Sequence, residues 1–442
     1  MTVRLTVIAD DLTGALDTGV QFVNSKVSVA VVAGTDYCAG GIDLNRTDVV
    51  VVNAELRHKS PEQAYKDCTA VVRKAVESGT GTLYIKVDSG LRGNIGAMMQ
   101  AALDQTGETF AAFAPALPAM NRITRDGLQY IDGCLINDSA FGKDPFEPVT
   151  SPYVRDLFRG CRADVRSYPR GKAFDTSDVK TPTIGIFDVE TKEDFHAIAQ
   201  SLQAQNRLRV LGGCAGFAGE LLSYLGLDGP PEKLPDLDAP LLVVCGSLNP
   251  ITKNQLQYAG RNGGVRISLD PEQLTKGYFD TRDGKTFLDS LAKEMAGGLD
   301  LFIDTTGTDT GGTPEEIQCM GAVVAKQLGV LVSRLLECPA SGRYLPMIIG
   351  GDTLLGVMRQ LSCHEIHPLG EVVSGTVLFE AAREGGNSRL MLSKSGGFGN
   401  RDLFKEIHRN LTGGKSDATV STRDAAADIQ RRNSYGSAEN AG

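Results

Sequence analysis

The sequence predicts an α/β protein of two domains, each a mostly parallel sheet flanked by helices, with an active-site cleft between them. Three observations predict it. Short β-branched runs alternate with runs whose apolar residues recur at helical spacing. A segment with four prolines and alternating charges, "DGPPEKLPDLDAP" at 228–240, divides the chain and reads as a linker. Glycine-rich corners recur where a strand gives way to a helix, the edge at which such folds bind ligands. At 442 residues the chain is long enough for more than one hydrophobic core.

Residues 3–9 are β-branched and read as a strand. Leu16, Val20 and Val23 then recur at helical spacing. Strand-like runs follow at 27–34 and 48–55, a helix at 64–79, a strand at 82–90, a helix at 95–107 and a strand at 110–116. From 121 to 180 the pattern loosens into polar turns, which suggests a separate lobe or a functional excursion. Regularity returns at 182–202 and 207–227. Beyond the linker the alternation resumes at 241–259, 300–307, 315–337 and 344–361. The boundaries expected are 1–227 for an N-terminal domain, 228–240 for the linker and 241–412 for a C-terminal domain. The tail 413–442 has few large apolar residues and is expected to be disordered.

The composition, 41% hydrophobic and 22% charged, is that of an ordinary globule, and the formal net charge of −9 argues against nucleic-acid binding. No window approaches the roughly 20 apolar residues that cross a bilayer, so no membrane is expected. Without a secretion-type N-terminus the default location is cytoplasmic. The nine cysteines form no CxxC pair and read as reduced thiols. "HEIHP", with His364 and His367, lacks further ligands nearby and reads as surface or loop.

Two groups of corners carry the chemistry. In the first domain, "IADDLTGALDTG" places Asp10 and Asp11 at a strand end, just before a helix. Adjacent carboxylates repel unless something positive sits there. "YIKVDSGLRGN" crowds Lys86, Asp88, Ser89 and Arg92 at another strand end. Such a cluster suits a polyhydroxy anion. Arg92 offers a planar fork to a carboxylate, the aspartates accept hydroxyl hydrogens or orient a metal, and Arg122 and Arg125 add positive charge. Asp10 as a plain helix cap and Asp88–Arg92 as a structural bridge are the simpler readings.

In the second domain, "MIIGGDTLLGVMRQL" sets Gly350 and Gly351 between a strand and a helix, with Asp352 and Thr353 at the helix start. A helix N-terminus of this kind suits phosphate. "LMLSKSGGFGNRDLF" puts Lys394 beside Gly396 and Gly397, and "VVCGSLNP" puts Ser247 at a strand end. "IDTTGTDTGGTPE" adds Gly311 and Gly312. No Walker loop, kinase signature or early GxGxxG is present. On the residues alone, a glycine-loop enzyme with another cofactor and a two-domain sugar-acid-binding protein stay open.

The ordered set "ADDLTGALDTG", "IKVDSGLRGNIG", "CGSLNPITKNQL", "IIGGDT" and "KSGGFG" resembles the four-carbon acid sugar kinases, formerly a domain of unknown function. The resemblance spans about residues 4–408. It implies ATP-dependent phosphorylation of the terminal C4 hydroxyl of a small four-carbon sugar acid, D-threonate or D-erythronate first and a 3-oxo-tetronate second. ATP would be held by Ser247, Gly350, Gly351, Asp352, Thr353, Lys394, Gly396 and Gly397. The acid would lie against Asp10, Lys86, Ser89, Arg92 and Arg122, with Arg92 on its carboxylate. Asp11, then Asp88, is expected to take the hydroxyl proton. Magnesium would bridge the phosphates, with no protein ligand identified. The cleft is expected to close about the linker, and the resemblance leaves room for a homodimer. Two departures stand out: Cys245 where the family has serine, and "APALPAMNRIT" before and around Arg122.

Overall fold

A computed structural model of the chain describes residues 3–34, 42–144, 147–305, 314–382 and 388–413. The Gly311–Gly312 loop and the tail beyond 413 lie outside the described residues.

The N-terminal half runs β1 (Leu5–Ala9), α1 (Leu12–Gly19), β2 (Val29–Val32), β3 (Val49–Asn53), α2 (Pro61–Glu77), β4 (Thr82–Lys86), α3 (Ile95–Thr106) and β5 (Phe110–Ala114). A small antiparallel sheet follows: β6 (Arg122–Arg125), β7 (Leu128–Ile131) and β8 (Cys134–Leu135). The half closes with β9 (Asp164–Tyr168), β10 (Thr183–Phe187), α4 (Lys192–Ala204), β11 (Val210–Gly213) and α5 (Ala215–Gly219). Residues 228–240 carry no helix or strand. The C-terminal half runs β12 (Leu241–Cys245), α6 (Pro250–Arg261), β13 (Val265–Ser268), α7 (Arg282–Ala296), β14 (Leu301–Asp304), α8 (Pro314–Glu337), β15 (Leu345–Ile349), α9 (Gly351–Gln360), β16 (Glu365–Val373), β17 (Thr376–Ala382), β18 (Arg389–Lys394) and α10 (Leu403–Leu411).

Local chemistry sets these elements. β1, β3, β4, β5 and β12 are buried along their whole length, as parallel strands covered on both faces must be. α2 starts at Pro61 with the Ser60 side chain accepting from the Gln63 N–H, and α4 starts in a Thr191–Asp194 capping box. His364 is exposed just before β16, and His367 lies in β16 with its side chain at the surface, beside Glu365 at 3.2 Å.

Both halves are α/β domains, but their sheets are fused. The order is β13-β14-β12-β15-β18-β17-β16-β2-β3-β1-β4-β11-β5-β10-β9. The seam is an antiparallel contact, Glu365↔Val32 and Ile366↔Val31. β17 is antiparallel to both of its neighbours, so the parallel strands of the two halves point in opposite senses. Six neighbour steps separate β1 from β15. At roughly 20–25° of twist per step, the accumulated rotation is about 120–150°. That rotation turns the two sets of strand carboxyl ends toward one another. One hydrophobic core runs through both halves and includes Leu12 and Leu16 of α1 with Leu354 and Val357 of α9. No helix among the described residues is long and apolar enough to cross a membrane.

Candidate active site

At the end of β1, Asp10 and Asp11 share one cation. Arg57 donates from Nε to Asp10 Oδ2 (2.8 Å), from Nη2 to Asp10 Oδ1 (3.0 Å) and from Nη1 to Asp11 Oδ2 (2.8 Å). The planar fork suits this arrangement. Asp11 also caps α1, accepting from the Gly14 N–H at 2.9 Å and the Thr13 hydroxyl at 2.9 Å. Burial pushes the Asp11 carboxyl up, but Arg57, Lys86 and the Gly14 N–H together hold it below the ordinary carboxylate range. For Asp10, burial wins over Arg57 and raises it. Sequence reasoning missed Arg57, which stands in "AELRHKS" without a motif around it.

The corner after β4 is tied in a similar way. Arg92 Nε meets Asp88 Oδ2 at 2.6 Å, and Arg92 Nη1 meets Asp144 Oδ2 at 2.8 Å. Burial of Asp88 is outweighed by Arg92, Arg57 and Arg122, which hold it well below its ordinary value. Leu91 between them has φ 59, a left-handed conformation that a bulky residue adopts only under constraint. Arg122 donates to the Ser89 hydroxyl and lies over the Phe141 and Phe398 rings at 5.2 and 5.6 Å. Two buried cations of the N-terminal half have no carboxylate within 4 Å among the described residues: Arg122, and Lys86, whose Nζ donates to the Val87 carbonyl. Arg125 instead faces outward and pairs with Glu190.

On the other side, Gly350 has φ 108, open in practice to glycine alone, and no side chain caps α9. Thr353 is buried, whereas Asp352 is exposed and lies 3.9 Å from His58 of the N-terminal half. Ser247 accepts from the Asn249 N–H through its hydroxyl at 3.3 Å, and a Cβ on Gly350 would lie 3.6 Å from the Ser247 nitrogen. Lys394 is fully buried. Its ammonium donates to the Thr252 hydroxyl and to the Ser395 and Gly396 carbonyls at 3.0–3.2 Å. It therefore braces the glycine turn rather than pointing openly at a ligand. Burial lowers it to about 8. Gln255 adds three bonds from its amide to the Phe398, Gly399 and Asn400 carbonyls, a second brace with no counterpart in the sequence reading.

The two groups meet. A Cβ on Gly351 would lie 3.1 Å from Asp11 Oδ2 and 3.2 Å from Thr13 Oγ1. One on Gly397 would lie 3.9 Å from Arg122 Nη2. The cleft is lined by Asp11, Thr13, Gly14, Asp17, Arg57, Lys86, Asp88, Ser89 and Arg92 from the first half and by Ser395 and Phe398 from the second.

Residues 5–221 match the model of a sugar-binding N-terminal domain, and residues 242–404 that of a nucleotide-binding C-terminal domain. A D-threonate kinase of Bordetella bronchiseptica is 26% identical over 411 residues, 90% of this chain and 95% of that protein. A 3-oxo-tetronate kinase of Pectobacterium atrosepticum is 24% identical over 439 residues, covering 92% and 99%. A D-threonate kinase of Salmonella typhimurium is 29% identical over 274 residues, 60% of this chain and 62% of that protein. The chain belongs to the four-carbon acid sugar kinase family. In fold, this kinase is similar to a Salmonella typhimurium LT2 structure solved as a candidate tRNA synthase (TM-score 0.73, 20% identity, 93% of this chain and 100% of the other). It is also similar to a Haemophilus influenzae structure (TM-score 0.65, 18% identity, 91% and 98%).

For an ATP-dependent kinase of this family the uncapped α9 N-terminus is a fitting phosphate cradle. No group of three or more His, Cys, Asp or Glu side chains able to hold a metal occurs among the described residues.

Proposed function

We propose that this kinase transfers the γ-phosphoryl group of ATP to the C4 hydroxyl of D-threonate or D-erythronate. The observation that carries the reading is the approach of the acidic corner to the glycine corner, Asp11 against Gly351. In-line transfer needs acceptor and donor sites that open onto one another. Full-length resemblance to D-threonate kinases supports the substrate class, and resemblance to 3-oxo-tetronate kinases makes those acids the second reading.

In this reading the sugar-acid carboxylate pairs with Lys86 and Arg122, buried cations of the first half that make no direct ion pair among the described residues. Arg92 positions Asp88 instead. Asp10, Asp11, Asp88 and Ser89 accept or donate to the hydroxyls. Ser247, the turn from Gly350 to Thr353, Gly396 and Gly397 hold the phosphates through backbone N–H groups, and Lys394 fixes the last of these turns. Magnesium fits as an ion carried by phosphate and water, and when bound it neutralises phosphate charge.

A coupled ATP-consumption screen over D-threonate, D-erythronate, their L forms and the 3-oxo acids tests the proposal, with the product's phosphate located by NMR. Turnover with one tetronate and phosphate on C4 is expected. Binding of the acid without ATP consumption would mark a sugar-acid-binding protein instead.

A further inference from the structure

Phosphoryl transfer to an alcohol leaves one proton to be placed, and the aspartates of the two acidic corners are poorly suited to take it. Asp10 and Asp11 are held by Arg57, and Asp88 by Arg92. Their arginine partners keep Asp11 and Asp88 weak bases; Asp10 is raised by burial, but both its oxygens accept from Arg57 and it does not line the cleft.

One cleft carboxylate is different. Asp17 stands on the face of α1 that also presents Thr13 and Gly14 to the cleft. Its carboxylate makes no hydrogen bond or ion pair among the described residues and is half-buried. The charged groups around it come from both halves of the molecule: Lys86 on β4, Asp11 at the start of α1, Glu371 on β16 and Lys394 on β18. Asp17 therefore lines the cleft within electrostatic reach of Lys86 on the acid side and Lys394 on the nucleotide side, and shares that lining with Asp11 and Ser395.

We propose that Asp17 is the catalytic base that accepts the proton of the attacking hydroxyl, an assignment that rests on the kinase reading above. The hydroxyl oxygen forms a bond to the γ-phosphorus. The bond from that phosphorus to the β,γ-bridging oxygen breaks, and ADP leaves with its electron pair. The hydroxyl proton passes to an Asp17 carboxylate oxygen and from there to water. Burial raises Asp17 to about 8 against the pull of Lys86, which brings its proton affinity near the working pH, where a general base is most effective.

The test measures kcat and KM with ATP and the best tetronate for wild type, Asp17→Asn and Asp17→Ala between pH 6 and 10. Wild-type kcat is expected to rise with pH through about 8 as Asp17 ionises. Loss of a proton from Lys394 acts in the opposite sense, so the direction of the limb separates the two. Asp17→Asn should lose roughly 10²–10⁴-fold in kcat and the rising limb, with both KM values and the melting temperature little changed. Added formate should partly restore Asp17→Ala, a rescue that a structural role would not produce. Wild-type kcat with no rising limb, an Asp17→Asn enzyme with normal kcat, or an Asp17→Ala enzyme that formate leaves inactive overturns the assignment. The wild-type profile decides even if neither variant folds. If wild type phosphorylates no tetronate, the kinase reading itself falls.

Discussion

Arg57 explains why two adjacent aspartates can stand at the end of β1. Without it Asp10 and Asp11 would keep their charges buried against each other, and removing one partner of a buried ion pair costs about 3–5 kcal/mol. Arg57→Met is expected to lose stability of that order in urea denaturation at pH 8. It should recover part of the loss near pH 5, where protonation of Asp10 relieves the repulsion. Lys86 is the complementary case, a buried cation with no carboxylate at ion-pair distance among the described residues. Losing one charged hydrogen bond to substrate costs about 1.5–3 kcal/mol. Lys86→Met should therefore raise KM for the sugar acid roughly tenfold to a hundredfold, leaving KM for ATP nearly unchanged; equal rises in both would remove Lys86 from the acid site. At this scale the sequence was informative where residues cluster along the chain, as Asp10 with Asp11 and Lys86 with Arg92 do. It was silent where partners are remote. Arg57 reaches Asp11 across 46 positions and Arg92 reaches Asp144 across 52. For that reason Arg92 read as a free fork for substrate when two aspartates already occupy its Nε and Nη1.

Single elements show the same division. The strand-to-helix corners at β1–α1 and β15–α9 were legible because glycine, aspartate and threonine mark them chemically. The β16–β17 hairpin went unread. Proline inside a strand-like run argues against a strand, and β16 contains Pro368; the structure accommodates it where the register with β17 shifts between Pro368 and Gly370. The last helix carries a pH-dependent contact. His408 Nε2 on α10 lies 2.9 Å from Asp300 Oδ2, and Asp300 Oδ1 accepts from the Leu241 N–H at the start of β12. Burial works against the charged ring, but the Asp300 bond prevails and raises His408 above 6.5. The contact therefore stabilises fully below about pH 6.5 and fades as pH rises through the higher folded value. The melting temperature of His408→Gln is expected to fall below wild type at pH 5.5 and to approach it at pH 9. A constant difference across that range would deny the linkage.

For the whole molecule, the fused sheet changes how substrate entry should be viewed. The linker at 228–240 suggests two bodies that close like a hinge. Yet the halves share the β2–β16 pairing and one hydrophobic core, and rotation about the linker would break both. The cleft cavity is about 50 Å³, where one water needs about 10–15 Å³ on the same measure, so it already has room for a few waters. Further room for a four-carbon acid is then expected from local side-chain adjustment rather than from separation of the halves. Small-angle scattering is expected to show the same radius of gyration with and without ATP and tetronate. A clear contraction on adding both would restore the hinge. This arrangement was beyond the sequence because no local pattern reports which strand edges join, and the seam is short, running through Val31, Val32 and Ala33 on one side and His364, Glu365 and Ile366 on the other.

That seam limits how relatives can be recombined. A gene crossover placed in the proline-rich stretch would take Val31 and Val32 from one parent and Glu365 and Ile366 from the other, mismatching the join on which the alignment of acceptor and donor depends. Chimeras built to exchange acid preference between family members should carry the hairpin along with the first half.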